Sequence, residues 1–165
     1  ISLVGYTNAG KSSLLNTLTK AQVAVKDLLF STLDPVTRRV RLPKGQPILI
    51  TDTVGFIQKL PTALVAAFRA TLEELQNSDL LLHVVDITHH NAAEQVDVVN
   101  GVLKDLGLSS KPQILALNKV DLLQTPAPIN PPLSNAVFTS TVRRTGIGEL
   151  LATIESFLDR SPSIR

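Results

Sequence analysis

A chain of 165 residues with 44% apolar and 18% charged side chains has the length of one compact domain and enough aliphatic residues to fill its core. With no cysteine it forms no disulfide, no thiolate zinc site and no cysteine nucleophile. Sixteen Lys and Arg against fourteen Asp and Glu leave a net charge of +2, too small to argue for nucleic acid by itself.

In chain order, Ile1–Val4 is predicted as a short buried strand, followed by a Gly-bearing turn and a helix from about Lys11 to Lys20. Arg38–Leu42 and Pro47–Asp52 read as two strands joined by the turn Pro43-Lys44-Gly45-Gln46. Leu64, Val65, Phe68, Leu72 and Leu75 recur at helical spacing, and Leu80–Asp86 reads as a buried strand. That apolar run is broken by His83 and falls far short of the roughly 20 residues a membrane span requires. Val96, Val99, Val102, Leu103 and Leu106 mark a helix ended by Gly107. Gln113–Leu117 and Ala136–Thr139 complete the strands. Between them Thr125–Ser134, with four of the ten prolines, reads as a surface loop. Ile147, Leu150, Leu151, Ile154, Phe157 and Leu158 form the stripe of a last helix. Strand–helix alternation with near-continuous apolar strands predicts an α/β domain whose mostly parallel sheet is covered on both faces, with one antiparallel strand from the hairpin. A strand at residue 1 and the absence of methionine lead us to expect a piece of a longer chain.

Gly5-Tyr6-Thr7-Asn8-Ala9-Gly10-Lys11-Ser12 matches the pattern Gly-x-x-x-x-Gly-Lys-Ser/Thr, with a strand before it and a helix after it. Glycines let such a loop curl its N–H groups inward around an anion, and the helix start at Lys11-Ser12-Ser13 adds its dipole. Lys11 is expected to bridge the β- and γ-phosphates of a nucleotide, and the Ser12 hydroxyl to ligate Mg²⁺. The competing reading is a Gly-containing turn that merely closes tightly. Asp52 ends an apolar strand and is followed by Thr53-Val54-Gly55. Its carboxylate can hold Mg²⁺ through a water, and the Gly55 amide can approach a γ-phosphate with no side chain in the way. A lone Asp at a strand end is otherwise a cap or turn residue.

Asn118-Lys119-Val120-Asp121 follows a strand. Guanine presents two adjacent donors that one carboxylate can accept, and adenine lacks that pair. Asp121 is therefore the expected specificity residue, with Asn118 tying the loop and the Lys119 stem against the base. The alternative is a helix-capping Asn beside a surface Asp. Ser140 and Thr141, after the last strand, are expected to support the base with backbone amides.

With these residues named, the chain resembles the G domain of the HflX family of GTPases. The resemblance rests on the phosphate loop, Phe30-Ser31-Thr32-Leu33-Asp34-Pro35-Val36-Thr37-Arg38, Asp52-Thr53-Val54-Gly55-Phe56-Ile57, Leu60-Pro61, Leu64 to Leu72 with Glu73 and Glu74, and Asn118–Asp121. It implies a Ras-like P-loop GTPase domain with a mixed, mostly parallel six-stranded sheet over residues 1–165, the family's N-terminal domain lying outside this chain. It also implies GTP hydrolysis coupled to the large ribosomal subunit and its rRNA, in ribosome splitting or rescue under stress. A monomer in the cytoplasm is expected, with partial membrane association or an organelle as variants. The family usually has two threonines before the arginine of its first switch, and here Val36 precedes Thr37. The resemblance carries the Mg²⁺-binding switch role to Thr37, with Thr32 as the substitute, so that Lys11, Thr37 and Gly55 are the expected groups at the reacting phosphate. At the base site Ser140-Thr141-Val142 departs from the usual Ser-Ala-Lys.

Ras-like proteins place a water-orienting glutamine just after the glycine of Asp-x-x-Gly. Here that position is Phe56, which neither donates nor accepts, so slow turnover alone and completion of the site by a partner are expected. In relatives that use K⁺, an asparagine at the position of Asn8 helps hold the ion, and loop stabilisation is its other reading. His83 is expected to be packed beside the sheet and His89 and His90 exposed, with no metal spacing among them. Glu73 and Glu74 read as a solvated helix face. Arg38, Arg39, Arg41 and Lys44, with Arg143 and Arg144 elsewhere, read as solvated faces first and rRNA contacts second. Two further functions stay open at this point. A P-loop ATPase or kinase would be indifferent to Asp121→Asn, and a nucleotide-locked interaction module would bind GTP and hardly hydrolyse it.

Overall fold

The computed structural model describes residues 1–19, 35–55, 65–125 and 135–161. Ser2–Gly5 (β1) is buried throughout and pairs in parallel with Pro47–Asp52 (β3) on one side and Leu81–Asp86 (β4) on the other. Covered on both faces, β1 and β4 have no solvent side, and both therefore read as apolar runs rather than alternating ones. β4 pairs with Gln113–Asn118 (β5), and β5 with Ala136–Phe138 (β6), again in parallel. Val36–Arg41 (β2) runs antiparallel to β3, with Arg38 opposite Ile50 and Arg41 opposite Pro47. Among the described residues the sheet has six strands in the order β2-β3-β1-β4-β5-β6.

Among the described residues four helices cover this sheet. Lys11–Thr19 (α1) and Ile147–Arg160 (α4) supply Leu14, Leu15, Leu18, Leu150 and Ile154 to a core on one face, against Leu3, Ile50, Leu82, Val84, Ile114 and Ala116. The spacing Ile147, Leu150, Ile154 puts one stripe of α4 on the sheet, and each such fully buried side chain contributes roughly 1.5–3 kcal/mol. On the other face Leu75 of Val65–Asn77 (α2) and Val99 and Leu103 of Ala92–Asp105 (α3) pack on Val4 and Leu81.

The predicted elements are all present, with ends moved by one or two residues. β1 runs to Gly5, β2 starts at Val36 and stops at Arg41, β5 reaches Asn118, and β6 stops at Phe138. A 3₁₀ turn at Val120–Leu122, not expected from the sequence, carries the end of the Asn118–Asp121 motif. Lys20 and the proline-bearing stretch 126–134 lie outside the described residues. Because β1, β3, β4 and β5 are parallel, Gly5, Asp52, Asp86 and Asn118 all arrive at one edge of the sheet. In open α/β sheets that is the edge where ligands bind.

Candidate nucleotide site

Gly5 ends β1 and Lys11 begins α1, so residues 6–10 make the turn between them. Ala9 donates its amide to the Tyr6 carbonyl at 3.2 Å, Asn8 takes a φ of 63°, and Gly10 a φ of 103°. Ala9 is buried in the core under α1, and the half-buried Tyr6 packs on the core of the opposite face. Tyr6 can therefore serve a ligand only through its backbone. A side chain on Gly10 would put its Cβ 2.5 Å from Asn118 Nδ2, so glycine here is what lets the base motif press on the phosphate loop. Asn118 Nδ2 donates to the Ala9 carbonyl at 3.2 Å.

Lys11 is 7% exposed. Burial pushes its ammonium below the ordinary value, and the Asp52 carboxylate opposes part of that shift. Ser12 Oγ donates to Asp52 Oδ2 at 2.6 Å, which joins the start of α1 to the end of β3. Ser13 is half-buried on the same first turn, its carbonyl accepting the Thr17 hydroxyl at 2.9 Å. Gly55 comes up against the same loop: a Cβ there would lie 2.9 Å from Thr7 Cα and 3.3 Å from Lys11 Nζ. Thr7, Lys11, Ser12, Asp52 and Gly55 thus converge as the motifs require. A hydroxyl beside a carboxylate, both oxygen donors, at the mouth of an anion-binding loop is a donor set that fits Mg²⁺.

Thr37 does not join them. In the antiparallel pair it stands opposite Thr51, with the two hydroxyls 2.8 Å apart, whereas Asp52 stands opposite Val36. Side chains alternate along a strand, so Thr37 and Thr51 face the side of the sheet away from Ser12 and Asp52. Both line a hollow of about 530 Å³ with Ser2, Leu49, Asn77 and Asp79. The Mg²⁺ role expected of Thr37 is therefore not supported by this register. Thr32, the substitute, and Phe56 lie outside the described residues.

At the base end, Asn118 is 1% exposed, and its Oδ1 accepts the hydroxyl of Thr139 at 3.2 Å. Asp121 Oδ1 accepts the Ser140 hydroxyl at 2.6 Å. Ser140 thus acts through its side chain, and its amide, expected to face the base, donates instead to the Thr145 carbonyl at 3.0 Å in an isolated antiparallel bridge. Thr141 is half-buried beside it. Lys119, at a φ of 69°, donates from Nζ to the Asn8 carbonyl at 3.0 Å and to Asp86 Oδ2 at 2.8 Å. Burial favours the neutral form of Asp86, but hydrogen bonds from Lys119 and Thr88 prevail and hold its carboxyl below the ordinary value.

Sequence reasoning missed Thr139 and Asp86. The available signal was a polar residue closing an otherwise apolar strand, which both share. His83 is buried as expected, and His89 and His90 are exposed and stacked at 4.6 Å. Glu73 is exposed and Glu74 half-buried; Arg38, Arg39, Arg41, Arg143 and Arg144 are exposed. The exposed Lys44 pairs with Asp159 at 2.7 Å.

The phosphate loop and the Asn118–Asp121 motif are joined by Asn118, which sets the context for comparison with known proteins. The sequence profile of the 50S ribosome-binding GTPase family matches residues 1–119. The chain belongs to that family. The HflX resemblance holds as well. GTPase HflX of Caldanaerobacter subterraneus subsp. tengcongensis is 47% identical over 165 residues, 99% of this chain and 38% of that protein. GTPase HflX of Escherichia coli is 48% identical over 124 residues, 75% of this chain and 29% of its own length. The chain therefore spans well under half the length of these relatives. The GTP-binding protein of Sulfolobus solfataricus in complex with GDP matches with a TM-score of 0.76 at 28% identity, covering 96% of this chain and 52% of that one. An Aquifex aeolicus Era variant bound to GDP and AlF₄⁻ shares the fold, with a TM-score of 0.80 at 24% identity over 94% of this chain and 55% of its own. The domain has the Ras-like P-loop GTPase fold.

Proposed function

We propose that this chain is the nucleotide switch of an HflX-type protein whose GTP hydrolysis is coupled to the large ribosomal subunit and its rRNA, in ribosome splitting or rescue. The observation that carries it is the unfinished phosphate end of the site. Lys11, Ser12, Asp52 and Gly55 converge there, yet the residue after Gly55 is Phe56, which has no group to orient a water. An enzyme with its phosphates held and its nucleophile unattended turns over slowly until a partner supplies the missing group. The partner reading is supported by 47% identity to an HflX along 99% of the chain. The exposed Arg38, Arg39 and Arg41 on edge strand β2 offer phosphate-binding charge to RNA.

In this reading residues 1–165 act as the G domain of a longer chain, monomeric and cytoplasmic. Among the described residues no helix is long and apolar enough to cross a membrane. Gly5–Ser13 wrap the phosphates with their amides, Lys11 sets its charge on the β- and γ-oxygens, and the Gly55 amide meets the γ-phosphate. Ser12 and Asp52 would hold Mg²⁺, which when bound offsets charge on the β- and γ-phosphate oxygens. With Thr37 on the far face of the sheet, the remaining switch ligand is the Thr32 hydroxyl. Asn118 and Asp121 hold the guanine, with Lys119 along its face and Ser140 and Thr141 behind Asp121. The exposed amide of Asn8 is available to K⁺.

The test is steady-state GTP turnover of the full-length protein with and without purified large subunits, run in K⁺ and in Na⁺ buffer. Stimulation on the order of 10²-fold or more is expected. Equal turnover with and without subunits sinks the ribosomal reading, and equal rates in the two buffers remove K⁺.

A further inference from the structure

Asp86, the last residue of β4, is 15% exposed at its side chain and has one carboxylate oxygen on each of two partners. Oδ2 takes the Lys119 ammonium at 2.8 Å. Oδ1 accepts the Thr88 amide at 3.0 Å and the Thr88 hydroxyl at 2.6 Å, which fixes the carboxylate from behind. The same ammonium donates to the Asn8 carbonyl at 3.0 Å. One lysine head therefore joins three segments: the end of β4, the phosphate loop and the base loop.

Two of those segments are strained where the lysine touches them. Asn8 and Lys119 both lie in the left-handed region, at φ of 63° and 69°, and residues with a Cβ stay there only when their surroundings hold them. A lysine stem has four rotatable carbons and a head that turns freely, so it does not hold itself. Between a neutral carbonyl and a fixed carboxylate it has one position. Asp86 supplies the charge in that clamp.

We infer that Asp86 is a positioning residue for the guanine nucleotide, holding the Lys119 stem along the base face and tying the base loop to the phosphate loop through Asn8. The inference rests on the reading that Asn118, Lys119 and Asp121 hold the base. In this role Asp86 needs no contact with the nucleotide. It acts through Lys119, so its loss acts mainly on how long the nucleotide stays and little on the bond-breaking step.

The test is release of a fluorescent GDP from the full chain, for the unaltered protein, Asp86→Asn, Lys119→Gln and the double variant. Asp86→Asn keeps the shape and an acceptor for Thr88 while removing the charge, and is expected to speed release roughly five- to tenfold, with turnover at saturating GTP within about twofold. In the double variant the Asp86 effect should vanish, because its route through Lys119 is already gone. Unchanged release in Asp86→Asn overturns the inference, and so does an effect that persists undiminished on Lys119→Gln. Should Asp86→Asn fail to fold, the exposed Thr88→Ala frees Oδ1 and is expected to speed release about twofold, again only while Lys119 is present. No acceleration there overturns the inference too. Selectivity of the unaltered chain for GDP over ADP checks the base-site reading by itself. A chain that prefers GDP and ignores Asp86→Asn defeats the inference alone, whereas a chain without that preference defeats the reading and the inference with it.

Discussion

The base half of the site closes its own hydrogen bonds, whereas the phosphate half buries a lysine whose charged form is disfavoured. Asn118 is bonded at both ends of its amide, to Ala9 and Thr139; Asp121 is oriented by Ser140; and Lys119 is pinned between Asp86 and Asn8. In the phosphate half, Lys11 is buried with its ammonium destabilised, and the Asp52 carboxylate that faces it also serves Ser12. The difference assigns two tasks to two regions. In the proposed function, a base pocket already bonded in place would select guanine at little cost in ordering. Lys11, whose charged form burial disfavours, would gain from phosphate oxygens brought to it. On that reading, selection would belong to the base half and switching to the phosphate half.

The sharpest way to break this comparison is at Asp121. Its carboxylate can accept both guanine donors while Ser140 holds it, and an asparagine can accept one donor and opposes the other with its own N–H. Asp121→Asn is expected to lower GTP affinity by about 10³-fold or more and to abolish the preference over ATP. Xanthosine nucleotide, with a carbonyl where guanine carries its amine, should recover most of the loss. Competition against a fluorescent guanine nucleotide measures all three. If Asp121→Asn left the GTP preference intact, the base half would lie elsewhere.

The second prediction separates the halves by sign. Lys11→Met removes a buried ammonium that the folded chain disfavours and inserts an apolar chain of similar length. Nucleotide affinity should fall by about 10²-fold or more, from the loss of two charge-assisted bonds at roughly 1.5–3 kcal/mol each. The nucleotide-free protein should instead melt about 2–4 °C higher, if about 1 kcal/mol of burial penalty is relieved. A base-half variant such as Asp121→Asn should give no such gain. Calorimetric melting of both variants without nucleotide checks the contrast. A lower melting temperature for Lys11→Met would mean that the Asp52 charge already offsets the burial of Lys11.

The phosphate and base motifs were legible in the sequence because their geometry is local. Gly5–Ser12 must curl within one turn, and Asn118–Asp121 spans four residues after a strand. The six strands were legible for the same kind of reason, since their buried faces force apolar runs. Contacts set by pairing across the sheet were not. The sequence does not state that Thr37 pairs with Thr51 rather than with Asp52, yet that single register step turns its hydroxyl to the far face. Nor does it state that Asp86 and Asn118 end neighbouring strands in register, which is what brings the Asp86 carboxylate to Lys119. Nor does it state that the Ser140 amide is taken up by a bridge to Thr145, which lies within an irregular loop.

His83 sharpens the comparison from beneath. It sits on β4, 1% exposed, with Nδ1 lacking a hydrogen-bond partner among the described residues. Burial pushes it down to about 4 from 6.5; a bond with Gln113 opposes the shift, and the Lys11 charge adds to it. The folded chain therefore refuses a proton that the unfolded chain takes up. Stability is unaffected above about pH 6.5, falls as pH drops from there toward about 4, and loses about 3 kcal/mol in all. Carboxylates titrate in the lower part of the same window, so the measurement is the difference in denaturation midpoint between the unaltered chain and His83→Gln from pH 7 to pH 4. The gap should change in favour of His83→Gln as pH falls, and a gap independent of pH would show that His83 titrates normally. Because Lys11 contributes to the shift, Lys11→Met or bound GDP should make the His83-dependent slope slightly shallower. Asp121→Asn, altering the half of the site that His83 does not sense, should leave that slope as it is.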